Sequence, residues 1–176
     1  MAKVPHLVQE CKREHENCLY TSTALYEWQK SVRFWKRCFV VAPLVLGGFA
    51  GWTLLANASF QGAKALQSVC AFLAGLLPTI YTAIKLDQSE VAIADNAAEF
   101  KNLQDRFRQA AIIGWQKSFA EFEAEFRSIM DRMEQARSRG LAIPDRFIKQ
   151  AQAKVKSGVY DFDVDLAEEQ KSAGGK

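Results

Sequence analysis

Two stretches of this chain, residues 38–56 and 65–84, contain no acid, no base and no histidine. A helix needs roughly 20 predominantly apolar residues to cover about 30 Å of hydrocarbon, so each stretch is long enough to cross a bilayer. They are separated by a short polar connector and bracketed by Arg37, Lys64 and Lys85. The competing reading is a pair of core helices in a soluble bundle. Core stretches, however, usually run to about 10 to 14 apolar residues and keep a polar face. The mean hydropathy of -0.14 does not weigh against spans, because the charges are gathered into the flanks. About 37 residues, among them Lys12, Arg13, Glu14, Glu16, Lys30 and Arg33, precede the first stretch. A secretory signal has its apolar region near the start, so this stretch is expected to be retained. The expected fold class is an all-α membrane protein: a two-helix transmembrane hairpin with long cytosolic helical extensions and a C-terminal fold-back helix.

Basic residues set orientation. Lys30, Arg33, Lys36, Arg37 and Lys85 flank the pair of spans, whereas the connector holds Lys64 alone, so both termini are expected in the cytosol. The connector, residues 57–64, carries Asn57, Ser59, Gln61 and Gly62, which suit a turn. Asn57-Ala58-Ser59 fits a glycosylation sequon, but at the bilayer edge it is a poor acceptor. Trp28, Phe34, Trp35, Phe39 and Tyr81 fall at the inner boundary and Trp52 and Phe60 at the outer, depths that aromatic rings favour.

Within the spans, Gly47 and Gly51 form a G-x-x-x-G step, and Ala71 and Gly75 a small-x-x-x-small pair. Such residues let helices approach closely and are expected to pack, either span on span or subunit on subunit. Pro43 and Pro78 lie within about two turns of the cytosolic boundary and mark packing kinks or a hinge. The polar inventory is short: Thr53, Ser68, Thr79 and Thr82, with Asn57 and Gln67 at the outer end. Pro43, Thr53, Asn57, Pro78, Thr79 and Thr82 are the pore or gate candidates. Two helices cannot enclose an aqueous path, so a pore needs several copies and an apolar constriction that gates by dewetting. An ion-coupled transporter would place an ionisable group in its spans, and none is present.

The first 37 residues read as an amphipathic cytosolic helix, with Val8, Cys11, His15, Cys18, Ser22 and Leu25 at spacings of three and four. After the hairpin, residues 38–86, a stalk helix is expected over 87–139, carrying Phe100, Leu103, Phe107 and Ala110 and then Phe119, Phe122, Phe126, Met130 and Met133, with Ile129 as the alternative to Met130. Unbroken, stalk and span together would reach roughly 100 Å; Gly114 is the candidate bend. Burying each phenylalanine favours packing by about 1.5 to 3 kcal/mol. The N-terminal helix is too short to cover all of the stalk. The seam of Phe119, Phe122, Phe126, Met130 and Met133 therefore calls for a fold-back, another subunit, or both, with a homo-oligomer as the expectation. Gly140 ends the stalk, and Pro144 opens a helix with Phe147, Ala151 and Val155 within the fold-back segment 140–165. Residues 166–176 read as a disordered tail.

Cys11, His15 and Cys18 share one helical stripe, which invites a zinc reading. The ends of that stripe are about 10 Å apart, whereas zinc holds its ligands at about 2.0 to 2.3 Å, so helix packing is the better reading. Cys38 and Cys70 fall at opposite membrane depths, and no disulfide framework is suggested. Asp161, Asp163 and Asp165 faintly resemble a calcium loop, but Leu166 and Ser172 stand where the glycine and the bidentate glutamate belong. No Ser-His-Asp set, phosphate loop or dinucleotide fingerprint occurs, and two histidines give little acid-base capacity. No enzyme activity, cofactor or metal is expected. The net charge of +3 is largely juxtamembrane and suits anionic lipid head groups rather than nucleic acid.

The order of parts resembles the SLATT superfamily of bacterial two-transmembrane effector proteins. The likeness covers most of residues 11–165. It rests on the pre-membrane helix with His15 and Tyr20, the short-looped hairpin, the stalk beginning at 90–98, and the 144–158 segment followed by Tyr160 and Asp161. The resemblance implies a protein of the bacterial inner membrane that oligomerises into, or opens, a pore during phage infection and collapses the membrane potential. It also implies that a separately encoded sensor or a nucleotide second messenger delivers the signal, since the chain carries no recognisable sensor domain. Two alternatives remain open: a non-conducting membrane scaffold that recruits a cytosolic partner through the stalk, and a housekeeping channel subunit.

Overall fold

The structure is a computed structural model that describes residues 3–55 and 62–159. Among the described residues it is all-helical, with no strand. The elements are α1 (Lys3–Leu55), α2 (Ala63–Ile84), α3 (Leu86–Ile113), a 3-10 turn (Gly114–Gln116), α4 (Phe119–Ser138) and α5 (Asp145–Lys156). They divide into two compact units: one made of the chain up to Glu27 together with that from Asn96 onward, the other of Trp28–Asp95. The expectations for Asn57, Ser59, Phe60, Asp161, Asp163, Asp165 and the C-terminal tail lie outside the described residues.

In the first unit the core is built from one stripe of each helix. Cys11, Cys18 and Leu25 of α1, seven residues apart, are buried together with Leu103 and Phe107 of α3, Phe122 and Met133 of α4, and Phe147 and Ala151 of α5. The Cys18 thiol lies 3.9 Å from the Met133 sulfur. His15 Nδ1 lies 3.0 Å from the carbonyl oxygen of Gln104; a carbonyl only accepts, so this nitrogen carries the proton and ties α1 to α3. Cys11, His15 and Cys18 thus act in helix packing. Glu14, on the same helix, is buried and meets Asn17 at 3.0 Å and Arg137 at 3.4 Å.

The expectation of one continuous stalk over 87–139 is corrected. The helix ends at Ile113, and a new one begins after Ser118, whose side chain accepts from the Glu121 amide while Glu121 Oε2 accepts from the Ser118 amide at 3.1 Å. This reciprocal capping box satisfies the first orphan donors of α4 and fixes its start. Gly114 allows the reversal, because a β-carbon there would come within 2.5 Å of the Phe122 ring. Beyond the turn the partners converge in reverse order. Phe107 meets Phe126 edge-on with centroids 6.2 Å apart, and Arg132 pairs with Glu99 at 2.8 Å. In each pair the earlier residue steps back as the later one steps forward, so α3 and α4 run antiparallel. Phe122 and Met133, part of the seam expected to be covered by a fold-back, another subunit or both, are fully buried inside this chain. Phe119, Phe126 and Met130 keep partial exposure.

Pro144 precedes α5 with its backbone extended, and Asp145 in the first turn and Lys154 and Lys156 in the last complement the helix dipole. Lys154 pairs with Glu27 of α1 at 2.9 Å. Burial of the two core thiols has a pH consequence. Desolvation, with Glu125 and Glu10 adding to it, raises Cys11 to about 11; desolvation, then Glu14, raises Cys18 to about 12 against a small opposing effect of Arg137. The unfolded thiols ionise near 9 while the folded ones hold their protons. The folded state therefore binds more protons above pH 9, and stability falls as pH rises from there toward 11 to 12. Iodoacetamide labelling of native protein at pH 8 should spare both cysteines; prompt labelling of either in folded protein would contradict the packing.

Candidate functional site: the apolar helices and their charged base

The second unit contains the apolar parts of α1 and α2. The span 65–84 lies within α2, and residues 38–55 complete the C-terminal part of α1, with Pro43 and Pro78 inside the two helices. These are two helices long and apolar enough to cross a membrane, and only 6% of each apolar window is buried. Leu44, Trp52 and Phe72 are each about 70% exposed. Such side chains in water forfeit the transfer energy that drives folding, so the surface asks for an apolar surrounding.

Among the described residues of these stretches, Ala50 and Cys70 are buried. Gly47, Gly51, Ala71 and Gly75, singled out as packing residues, are all exposed. A β-carbon built on any of the three glycines would meet no atom within 4 Å. The G-x-x-x-G step is therefore not used for close approach among the described residues of this chain. Of the polar candidates, Thr82 donates its hydroxyl to the Pro78 carbonyl at 2.9 Å and Thr79 to the Gly75 carbonyl at 3.4 Å. Each hydroxyl is satisfied by its own helix, which removes the cost of placing it in hydrocarbon. The side chain of Thr53, and Asn57 as a whole, lie outside the description.

At the base of these helices is a charged cluster that the sequence reading did not assemble. Lys85 ends α2 in the left-handed region (φ 52), and α3 starts at the next residue. Asp87 and Glu90, three residues apart on one face of α3, meet Arg33 and Lys36, three apart on one face of α1. Arg33 Nε donates to Glu90 at 2.8 Å and Lys36 Nζ to Glu90 at 3.1 Å; Lys36 also pairs with Asp87, which accepts from the Tyr81 hydroxyl at 2.6 Å. The bonds from Arg33 and then Lys36 hold Glu90 below the usual carboxylate range, and those from Lys36 and then Tyr81 do the same for Asp87. Asp87, then Glu90, pushes Lys36 up. Asp87, Glu90 and Lys36 therefore stay ionised throughout the neutral range. The readable signal was the matched i,i+3 spacing of two acids and two bases on either side of the apolar segments. Among the described residues, no three His, Cys, Asp or Glu side chains are grouped to share a metal ion.

The structure thus defines an all-helical protein with two candidate membrane spans. No protein-family model, no curated protein and no solved structure matches the chain.

Proposed function

We propose that the chain is an effector of the bacterial inner membrane that assembles into, or gates, a pore and depolarises the cell in an antiphage response. In this reading α1 and α2 form a transmembrane hairpin with both termini in the cytosol, in keeping with five flanking basic residues against Lys64 alone, and α5 folds back on the cytosolic helices. The observation that carries it is the open glycine positions: two uncharged stretches in which a β-carbon built on Gly47, Gly51 or Gly75 would meet no described atom within 4 Å, which suits packing against further copies. The resemblance to SLATT effectors supplies the biological setting, including a sensor or nucleotide signal delivered by a partner. Pro43 and Pro78, near the inner ends, suit an apolar gate closed by dewetting.

A non-conducting scaffold is the second reading. Ile112, Ile113 and Trp115, all exposed where α3 turns toward α4, favour it, because an apolar tip of this kind suits a protein partner. Membrane potential, read with a fluorescent dye in bacteria expressing the chain alone and then with its genomic neighbours, separates the two. Depolarisation that needs a trigger or partner is the expected result. An intact potential under every condition that arrests growth would leave the scaffold.

A further inference from the structure

Beside the charged cluster lies a cavity of about 370 Å³ lined by Arg33, Lys36, Arg37, Val40, Val41 and Glu90. Three cations face one carboxylate. Glu90 takes one donor each from Arg33 and Lys36, which leaves further N–H groups on both, since a guanidinium carries five and an ammonium three. Arg37 is exposed and pairs with no carboxylate among the described residues. One turn farther along α1, Val40 and Val41 are about half exposed and begin the apolar stretch. The cavity therefore runs from an unneutralised guanidinium to an apolar floor within a single turn of helix.

We infer that this cavity binds the head group of an anionic membrane phospholipid, with Arg37 gripping the phosphodiester and the first acyl carbons lying on Val40 and Val41. The inference rests on the membrane reading above. An arginine fork matches a phosphate bidentately, and basic pockets at the inner face of transmembrane helices meet anionic head groups at that depth. A free phosphate would use the cations but not the valines. A lipid uses both, which is why the lipid is the occupant chosen.

The test uses the full chain in nanodiscs of equimolar phosphatidylcholine and phosphatidylglycerol, with the lipids retained after mild extraction counted by mass spectrometry. Phosphatidylglycerol should be enriched several-fold. Arg37→Gln, at an exposed position, should weaken its retention roughly tenfold, the worth of a charged hydrogen bond, with helicity unchanged by circular dichroism. Lys85→Gln, which removes a juxtamembrane charge outside the cavity, should leave the enrichment intact. Equal losses in both variants would replace the site by a general attraction of basic residues to the membrane. No enrichment in a wild-type chain that has inserted would overturn the site and leave the membrane reading standing, whereas failure to insert in any lipid would overturn both. Displacement of the lipid by inorganic phosphate as effectively as by soluble short-chain phosphatidylglycerol would reassign the cavity to free phosphate.

Discussion

Phe122→Ala should open the helical unit about a hundred- to several-thousandfold more often than the wild type, because emptying a fully buried phenylalanine site costs about 3 to 5 kcal/mol. Phe122 has no exposed surface, and its ring fills the space against Gly114 at the α3–α4 turn. Alkylation of Cys18, whose sulfur lies 3.9 Å from that of Met133, reports the opening, since the thiol reacts only when α4 leaves. Gly114→Ala tests the same contact from the other side. Its β-carbon would sit 2.5 Å from the ring, and overpacking of this kind costs about 1 to 3 kcal/mol. The double variant Gly114→Ala, Phe122→Leu should recover part of that loss, whereas strict additivity would show that the two residues do not touch. An acidic residue at Phe122 is for this reason a poor probe of assembly: any loss of assembly would report an unfolded unit.

The two candidate spans are legible in the sequence because hydrocarbon imposes only length and the absence of charge, and residues 38–56 and 65–84 meet both conditions. The start of α5 after Pro144 is legible for a similar reason, a proline fixing one backbone angle. The reversal between α3 and α4 was half legible. Gly114 marked a bend, but the sign that a new helix starts, rather than the old one kinking, was the Ser118-x-x-Glu121 box. The phenylalanine seam shows why amphipathicity alone underdetermines assembly: the pattern says that Phe122 and Met133 must be covered and is silent on which chain covers them. Once α4 turns back, they are covered at home. The cluster of Arg33, Lys36, Asp87 and Glu90 was hidden because its halves are more than fifty residues apart, and each half alone reads as ordinary flanking charge.

What remains uncovered is the glycine face, and it carries the second large expected effect. If copies assemble into the proposed pore, Gly51→Leu should abolish both cross-linking between copies in membranes and the proposed depolarisation, while insertion and helicity persist. The separation follows from geometry. A β-carbon at Gly51 meets nothing within 4 Å among the described atoms of this chain, so a side chain can begin there without a clash against them. Leucine also favours both helix and hydrocarbon over glycine. A loss with insertion and helicity intact therefore fits the proposed contact between copies, where a close helix crossing tolerates glycine but not a branched side chain. Gly51→Ala should give an intermediate loss, and Gly47→Leu, on the same step, should match Gly51→Leu. Gly51→Glu is less informative, since a charge in mid-span costs about 2.5 to 3.5 kcal/mol of insertion and confounds topology with assembly. An oligomer and a depolarisation that survive Gly51→Leu and Gly47→Leu alike would mean that copies meet elsewhere, and the pore would lose the interface on which it is proposed.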